Sequence, residues 1–224
     1  RFYNWDFKKI INKIQKGGVL VAPAASALAK INQKELYYNS LKNADIAILD
    51  SGLFCILLRV FKKKKVKKLS GYLFISKLLN YDPIKNKKIL LVDPNIEESS
   101  LNYSLFKRKA FKNIYSYISP DYKKKGIKDL KLLKKIKNTK PEFVIINIGG
   151  EIQEPLGIYL KSNIKSKISI ICTGAAIAFL TKKQAPINNT VDKFYLGWLW
   201  RIIFNPKKFF FRTLYSLSLF KLFI

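Results

Sequence analysis

Short, predominantly apolar runs alternate along the chain with longer segments in which apolar residues have helical spacing. The apolar runs are three to six residues long, and they cover 19–21, 46–49, 88–92, 113–118, 143–146 and 168–171. Helical spacing predicts helices over 26–42, 53–61, 74–79 and 127–136, with a further helix beginning near Gln153. Because strands separated by helices are typical of βαβ units, the sequence predicts an α/β fold with a mostly parallel sheet flanked by helices.

The composition changes after about Lys193, where the chain becomes aromatic, basic and helical in spacing. We therefore predict a core over 1–192 and a helical appendage over 193–224. From Phe204 onward the appendage mixes bulky aromatic residues with cations, a pattern that suits a helix lying in a membrane interface. A helix packed on the core is the alternative. No apolar stretch is long enough to predict a helix that spans a membrane.

The formal net charge is +29, and nearly all of the cations are lysines. One interpretation is a general bias toward lysine, isoleucine and asparagine; the other is attraction to an anionic membrane or to nucleic acid. No pattern of a known nucleic-acid-binding module accompanies the charge, which disfavours nucleic acid as a partner.

Few residue types remain for chemistry, because the chain has no histidine. Cys55 and Cys172 lie in apolar runs and are predicted to be buried free thiols, which indicates a reducing, cytoplasmic location. The sequence contains no cluster of metal ligands, no P-loop and no G-x-G-x-x-G fingerprint after the first strand. No signal peptide is recognisable, and the absence of methionine, even at position 1, leads us to expect a fragment or a trimmed chain.

Polar residues, proline or glycine stand where the predicted strands end, as at Pro23, 50–52, 93–95, 119–120, 149–154 and 173–174. In a parallel sheet these ends share one edge, which is where ligands bind. Asp50 is a candidate general base, or alternatively the cap of the helix that follows it. Gly149 and Gly150 would allow close approach of the backbone to a ligand, or would simply form a tight turn. Asp93 is expected to cap a helix.

Several of these segments, in this order and spacing, resemble the WecG/TagA/CpsF glycosyltransferases. The similarity runs from about Val19 to Arg212. It rests on 44–52, 69–71, 149–154, 174–180, 185–186, 198–201 and 205–206. The resemblance implies a Rossmann-like α/β core with a C-terminal helical appendage. It also implies an inverting enzyme that transfers a sugar from a UDP-sugar to a polyprenyl-diphosphate-linked acceptor, without a metal or other cofactor, during cell-surface polysaccharide biosynthesis.

The resemblance also implies roles for individual residues. Asp50 would be the catalytic base, and Arg201 and Arg212 would hold diphosphate. The expected donor-binding residues are Ser51, Gly52, Gly149, Gly150, Gln153, Glu154, Thr173, Gly174 and Gln184. The enzyme would act at the cytoplasmic face of the cell membrane as a peripheral protein, and the resemblance leaves assembly into a homo-oligomer open.

The chain departs from the family pattern at several positions. Glu151 replaces a proline, Gln184 replaces an arginine, Gly197 replaces a glutamate, and Ser51 is inserted between an aspartate and a glycine. These departures favour a divergent branch. They keep open a second hypothesis, in which the chain binds a sugar nucleotide but is catalytically impaired.

Overall fold

The computed structural model describes residues 2–174, 176–183, 203 and 206–223. Within these residues the chain forms a seven-stranded sheet in which every pair of neighbouring strands is parallel. The strands are β1 (Phe2–Tyr3), β2 (Gly18–Val21), β3 (Ile46–Ile48), β4 (Lys88–Asp93), β5 (Asn113–Ile118), β6 (Phe143–Ile146) and β7 (Ser169–Cys172). Their order across the sheet is β1-β3-β2-β7-β6-β4-β5. The structure therefore confirms the predicted Rossmann-like α/β fold.

Helices connect the strands and cover both faces of the sheet. They are α1 (Phe7–Ile14), α2 (Ala25–Leu28), α3 (Glu35–Asn43), α4 (Gly52–Lys62), α5 (Gly71–Leu79), α6 (Ile96–Arg108), α7 (Tyr122–Lys125), α8 (Leu130–Thr139), α9 (Gln153–Asn163), α10 (Ala176–Leu180) and α11 (Pro206–Leu217). Short 3-10 turns lie at Ile31–Gln33, Asp82–Ile84 and Ser218–Leu222.

The core has two layers, because successive residues of a strand face opposite sides of the sheet. In β2, Leu20 packs into the layer beneath α1 and α5, whereas Val19 and Val21 pack into the layer beneath α8 and α9. Strands β2, β6 and β7 are buried on both faces, which explains why their sequences are predominantly apolar rather than alternating.

The central strands end close together at the carboxyl edge of the sheet. Val21 and Ile146 are both in register with Cys172, and Val21 is in register with Ala47. The loops that follow β2, β3, β6 and β7 therefore start side by side. Neighbouring loops at such an edge form the usual ligand site of an open parallel sheet.

The structure divides the helix that we predicted over 26–42. Helix α2 ends at Leu28, a 3-10 turn follows, and α3 begins at Glu35. No side chain from Lys30 to Lys34 is fully buried. Because most helical stability in proteins comes from packing of an apolar face, this stretch lacks what a continuous helix would need.

Three elements were not predicted from the sequence. Strand β1 is only two residues long, and α7 only four, so neither leaves a readable pattern. Helix α1 buries Phe7, Ile10, Ile11 and Ile14, which is a clear helical spacing that the sequence analysis overlooked.

The described part of the C-terminal appendage is helical over 206–222, as predicted, and its end packs on the core. Leu219 is fully buried against Leu28 of α2 and Leu57 of α4. Other apolar residues of this segment, including Phe210 and Leu214, are about half exposed. The described part of the chain has no helix that is both long and apolar enough to cross a membrane. The proposed boundary at 192–193 lies outside the described residues.

Candidate active site

Asp50 lies in the loop after β3 and is half-buried. Its Oδ1 accepts a hydrogen bond of 2.7 Å from the backbone N–H of Gly71, the first residue of α5. The cap of α4 is instead Ser51, whose Oγ accepts from the N–H of Phe54 at 3.1 Å. The alternative that Asp50 caps the helix following it is therefore wrong, and its carboxylate is held against the start of a different helix.

Gly71 brings the start of α5 close to the end of β7. A Cβ at this position would lie 3.3 Å from both the Cβ and the carbonyl oxygen of Thr173, and 3.4 Å from the Cβ of Ala176. These distances are tighter than most packing contacts in proteins, so a larger residue would push the two segments apart. Asp50, Gly71 and Thr173 are thus consecutive neighbours along the carboxyl edge.

The turn after β7 is tied to the bend after β6. The N–H of Gly174 donates to Oε1 of Gln153 at 2.6 Å, and Gly174 has a φ of +60°, which favours glycine. The hydroxyl of Thr173 is buried and has no hydrogen-bond partner among the described residues. Gln153 therefore fixes the position of the Thr173–Gly174 turn.

The bend over 149–154 is organised by a buried carboxyl group. Glu154 accepts from the N–H of Glu151 at 2.8 Å and from Nε2 of Gln153 at 3.1 Å. Gln153 and Glu154 are 2% and 1% exposed, so both side chains hold the bend from the protein interior. Glu151, which has a φ of +70°, forms an ion pair with Lys34.

Gly149 and Gly150 form the open part of this bend. Both are exposed, and a Cβ at either position would meet no atom within 4 Å. The backbone at these glycines is therefore accessible to a ligand, whereas the residues that follow hold it in place.

The electrostatics of the site link Asp50 to this bend. Burial raises the pKa of Glu154 to about 7. The pKa of Tyr37, which is 1% exposed, is raised by burial and then by the negative charges of Glu154, Glu151 and Asp50. The contacts of Asp50 with Gly71, of Gly71 with Thr173 and of Gly174 with Gln153 place Asp50 and the 149–154 bend on the same side of the molecule. Tyr37 was missed in the sequence analysis because it lies in a polar segment whose pattern does not indicate a functional residue.

Asp93 does not cap a helix, contrary to our expectation. Asn95 caps α6 by accepting from the N–H of Glu98 at 2.9 Å. Asp93 is fully buried, and its Oδ1 accepts from Nδ2 of Asn102 at 2.7 Å and of Asn147 at 2.8 Å. Burial raises the pKa of this carboxyl group. The ends of β4 and β6 are therefore joined by a buried polar cluster.

Several helices begin at the same edge of the sheet. Helices α4, α5 and α9 start directly after the loops at Ser51, Ser70 and Ile152. The N-terminus of a helix carries a partial positive charge and unpaired N–H groups, which suit a phosphate or another anion. Of the remaining candidates, Gln184 and Arg201 lie outside the described residues. Arg212 lies in α11, but its side chain is also outside the described part.

The geometry joins a carboxylate, glycine-rich turns and helix N-termini at one edge of a parallel sheet. Comparison with known proteins identifies the family of the chain. No individual curated protein matches the chain closely enough to count as a relative. The model of the glycosyl transferase WecG/TagA/CpsF family matches residues 1–224, the whole chain. The chain therefore belongs to the WecG/TagA/CpsF family of glycosyltransferases.

Proposed function

We propose that this protein is an inverting glycosyltransferase. In this proposal it transfers a sugar from a UDP-sugar to a lipid-diphosphate-linked acceptor in cell-surface polysaccharide biosynthesis, without a metal ion. The family membership supports sugar transfer. The observation that carries the proposal is the position of Asp50, which is fixed by Gly71 beside the Thr173–Gly174 turn.

Asp50 is the proposed general base. In an inverting transfer an acceptor hydroxyl attacks the anomeric carbon from the face opposite the leaving group, and the bond to UDP breaks. The base takes the proton of that hydroxyl, and a well-positioned base typically contributes about 10²–10⁴-fold to the rate. The hydrogen bond from the N–H of Gly71 fixes the carboxylate for this role.

The leaving diphosphate needs compensation for its developing negative charge. The N-termini of α4, α5 and α9 can supply backbone N–H groups and partial positive charge at this edge. The accessible backbone at Gly149 and Gly150 offers a place for close approach. We assign further contacts with the diphosphate to Arg201 and Arg212, because an arginine binds phosphate oxygens in a bidentate manner.

A lipid-linked acceptor requires the enzyme to reach a membrane. We place it at the cytoplasmic face, where the C-terminal appendage makes contact with anionic lipids. The net charge of +29 and the exposed Phe210 and Leu214 of α11 support this location. Assembly into a homo-oligomer is compatible with the proposal.

The test is the release of UDP from a panel of UDP-sugars in the presence of a lipid-diphosphate acceptor. We expect Asp50→Asn to lower turnover by about 10²–10⁴-fold. The fold should persist, because the asparagine keeps the volume and its amide oxygen can still accept from Gly71. Asp82→Asn is the matched control, since the Asp82 side chain is 83% exposed and pairs only with Lys85 in the described structure.

Three results would count against this proposal in different ways. Turnover in Asp50→Asn equal to that of the wild type would reject Asp50 as the base. UDP binding without turnover of any donor would favour the catalytically impaired relative. Turnover that is lost on chelation and restored by a divalent cation would reject the metal-independent reaction.

A further inference from the structure

We infer that α4 and the lysine-rich loop after it form a second membrane-contact surface, which docks on anionic lipid together with the C-terminal segment. This inference rests on the proposed function, because a lipid-linked acceptor is what brings the protein to a membrane. The "α4 face" is defined as Ile56, Val60 and Phe61, and the "lysine loop" as residues 62–68, which begin at the last residue of α4.

The α4 face exposes apolar side chains on a helix that begins at the active-site edge. Ile56, Val60 and Phe61 are 41%, 63% and 42% exposed. Ile56 and Val60 are four residues apart and so share one side of the helix. The opposite side buries Cys55 and Leu57 in the core. Helix α4 therefore has apolar residues both toward the core and toward solvent, a pattern that suits burial on two sides.

Aromatic contacts join the α4 face to the end of the chain. The ring of Phe61 lies 6.0 Å from the rings of both Phe220 and Phe223, measured between centroids. Phe54, two turns earlier in α4, lies 5.8 Å from Phe223. Phe220 and Leu222 are themselves 38% exposed. Through Phe61, the exposed apolar residues of α4 thus meet those of a segment that is distant in sequence.

The lysine loop surrounds this surface with positive charge in a defined conformation. Lys62 to Lys65 and Lys67 are all exposed. The backbone of the loop is held by Arg59, which donates to the carbonyl of Val66 at 2.6 Å, and by Asn4. The Asn4 amide donates to the carbonyl of Lys65 at 3.1 Å and accepts from the N–H of Lys67 at 2.7 Å. The lysines are therefore presented next to the α4 face by a fixed backbone.

An apolar centre with lysines at its margin matches the chemistry of an anionic bilayer surface. Apolar side chains enter the boundary between headgroups and acyl chains, and the lysines contact the anionic headgroups. A second copy of this chain is a poorer occupant, because two proteins of net charge +29 repel each other.

The lysine loop leads directly to the catalytic edge. The N–H of Leu69 donates to the carbonyl of Leu49 at 3.1 Å, and Gly71, two residues later, donates to Asp50. The proposed membrane surface and the proposed base are therefore connected by a few hydrogen-bonded residues. This arrangement would bring the base close to the headgroup region, where the diphosphate of the acceptor lies.

The inference is tested by the partition of the purified full chain onto phosphatidylcholine vesicles with and without phosphatidylglycerol. One variant, Val60→Glu, places a charge on the α4 face and should lower partition by about tenfold or more. A second variant changes Lys62, Lys64 and Lys65 to Gln. Each lysine near an anionic surface contributes about fivefold, so the loss of three should lower partition by about 100-fold.

Matched controls make equal changes at the opposite end of the sheet. Leu130→Glu alters an apolar residue that is 76% exposed, and a second control changes Lys123, Lys124 and Lys125 to Gln on α7, beyond edge strand β5. Both controls should retain most of the wild-type partition. UDP binding, measured by calorimetry without vesicles, should be unchanged in all four variants.

Each alternative outcome separates this inference from the proposed function. The second membrane surface is refuted if the α4 variants lose no more partition than the controls, or if the wild type does not bind anionic vesicles. Neither result would refute the proposed binding of UDP. If a dimer in sedimentation velocity disappears in Val60→Glu, the α4 face is an interface between copies and the inference is also refuted. A wild type that binds vesicles but neither binds UDP nor transfers sugar would refute the proposed function alone.

Discussion

Replacing Glu154 with glutamine should remove most of the pH dependence of folding stability near neutrality. Burial raises the pKa of this carboxyl group from an ordinary 4.5 to about 7. Between these two values the unfolded chain is ionised while the folded protein keeps its proton. The unfolded state then binds fewer protons, so the free energy of unfolding must fall as the pH rises through this window.

The size of the effect follows from the same two values. At about 1.4 kcal/mol for each pH unit, the fall amounts to about 3 kcal/mol and levels off above about pH 7. This chain is well suited to the measurement because it has no histidine, the residue that usually titrates there. Glutamine cannot ionise, but it also leaves one of the N–H groups of Glu151 and Gln153 without an acceptor. That loss adds a destabilisation of about 1–3 kcal/mol that does not vary with pH.

The assay is urea unfolding, followed by tryptophan fluorescence, from about pH 4.5 to about pH 8. The difference in free energy of unfolding between Glu154→Gln and the wild type should move by about 3 kcal/mol in favour of the variant across this range. Comparing the two proteins cancels the contribution of other buried groups such as Asp93. Glu35→Gln, at an exposed position in the first turn of α3, is the control and should run parallel to the wild type. A parallel profile for Glu154→Gln would show that Glu154 is ionised in the folded protein throughout, and would refute the reasoning.

Two further changes test packing around the site. Tyr37→Phe removes a buried hydroxyl that has no hydrogen-bond partner among the described residues, and should raise the free energy of unfolding by about 1 kcal/mol; a loss of stability in urea would reveal a partner. Gly157→Ala places a Cβ 2.8 Å from Sγ of Cys172 and 3.2 Å from Cγ1 of Val19, and should lower stability by about 1–3 kcal/mol. In Gly150→Ala the new Cβ meets no atom within 4 Å, so this variant should keep the stability of the wild type. Equal stability of the Gly157 and Gly150 variants would contradict the packing argument.

The central strands were predictable from the sequence because burial on both faces leaves a direct signature. β6 and β7 are predominantly apolar, and their ends differ from the predicted ones by one residue at most. The parallel arrangement followed from the helices between the strands. What local pattern does not encode is the break at Lys30–Lys34, where the absence of buried side chains becomes visible only once the helices are packed.

The candidate site shows where sequence reasoning stops. Asp50 and Ser51 are adjacent, and either could have capped α4. The choice depends on Gly71, 21 residues later, which gives Asp50 another donor. Asp93 was misassigned for the same reason, because its partner Asn147 is 54 residues away. Residue type and spacing identified which side chains were polar at the carboxyl edge, but the long-range hydrogen bonds decided what each one does.

The fold also bears on the two interpretations of the high positive charge. Exposed lysines occur on α1, on α7 and α8, and in the lysine loop, so their distribution alone does not mark one binding surface. The lysine loop differs from the run on α7 because it borders the apolar α4 face and has a backbone fixed by Arg59 and Asn4. Charge and apolar exposure together give a surface that favours lipid, whereas charge alone would favour any polyanion. A bias toward lysine can therefore account for the overall composition, and the membrane-contact surface depends on where a few of those lysines meet exposed apolar residues.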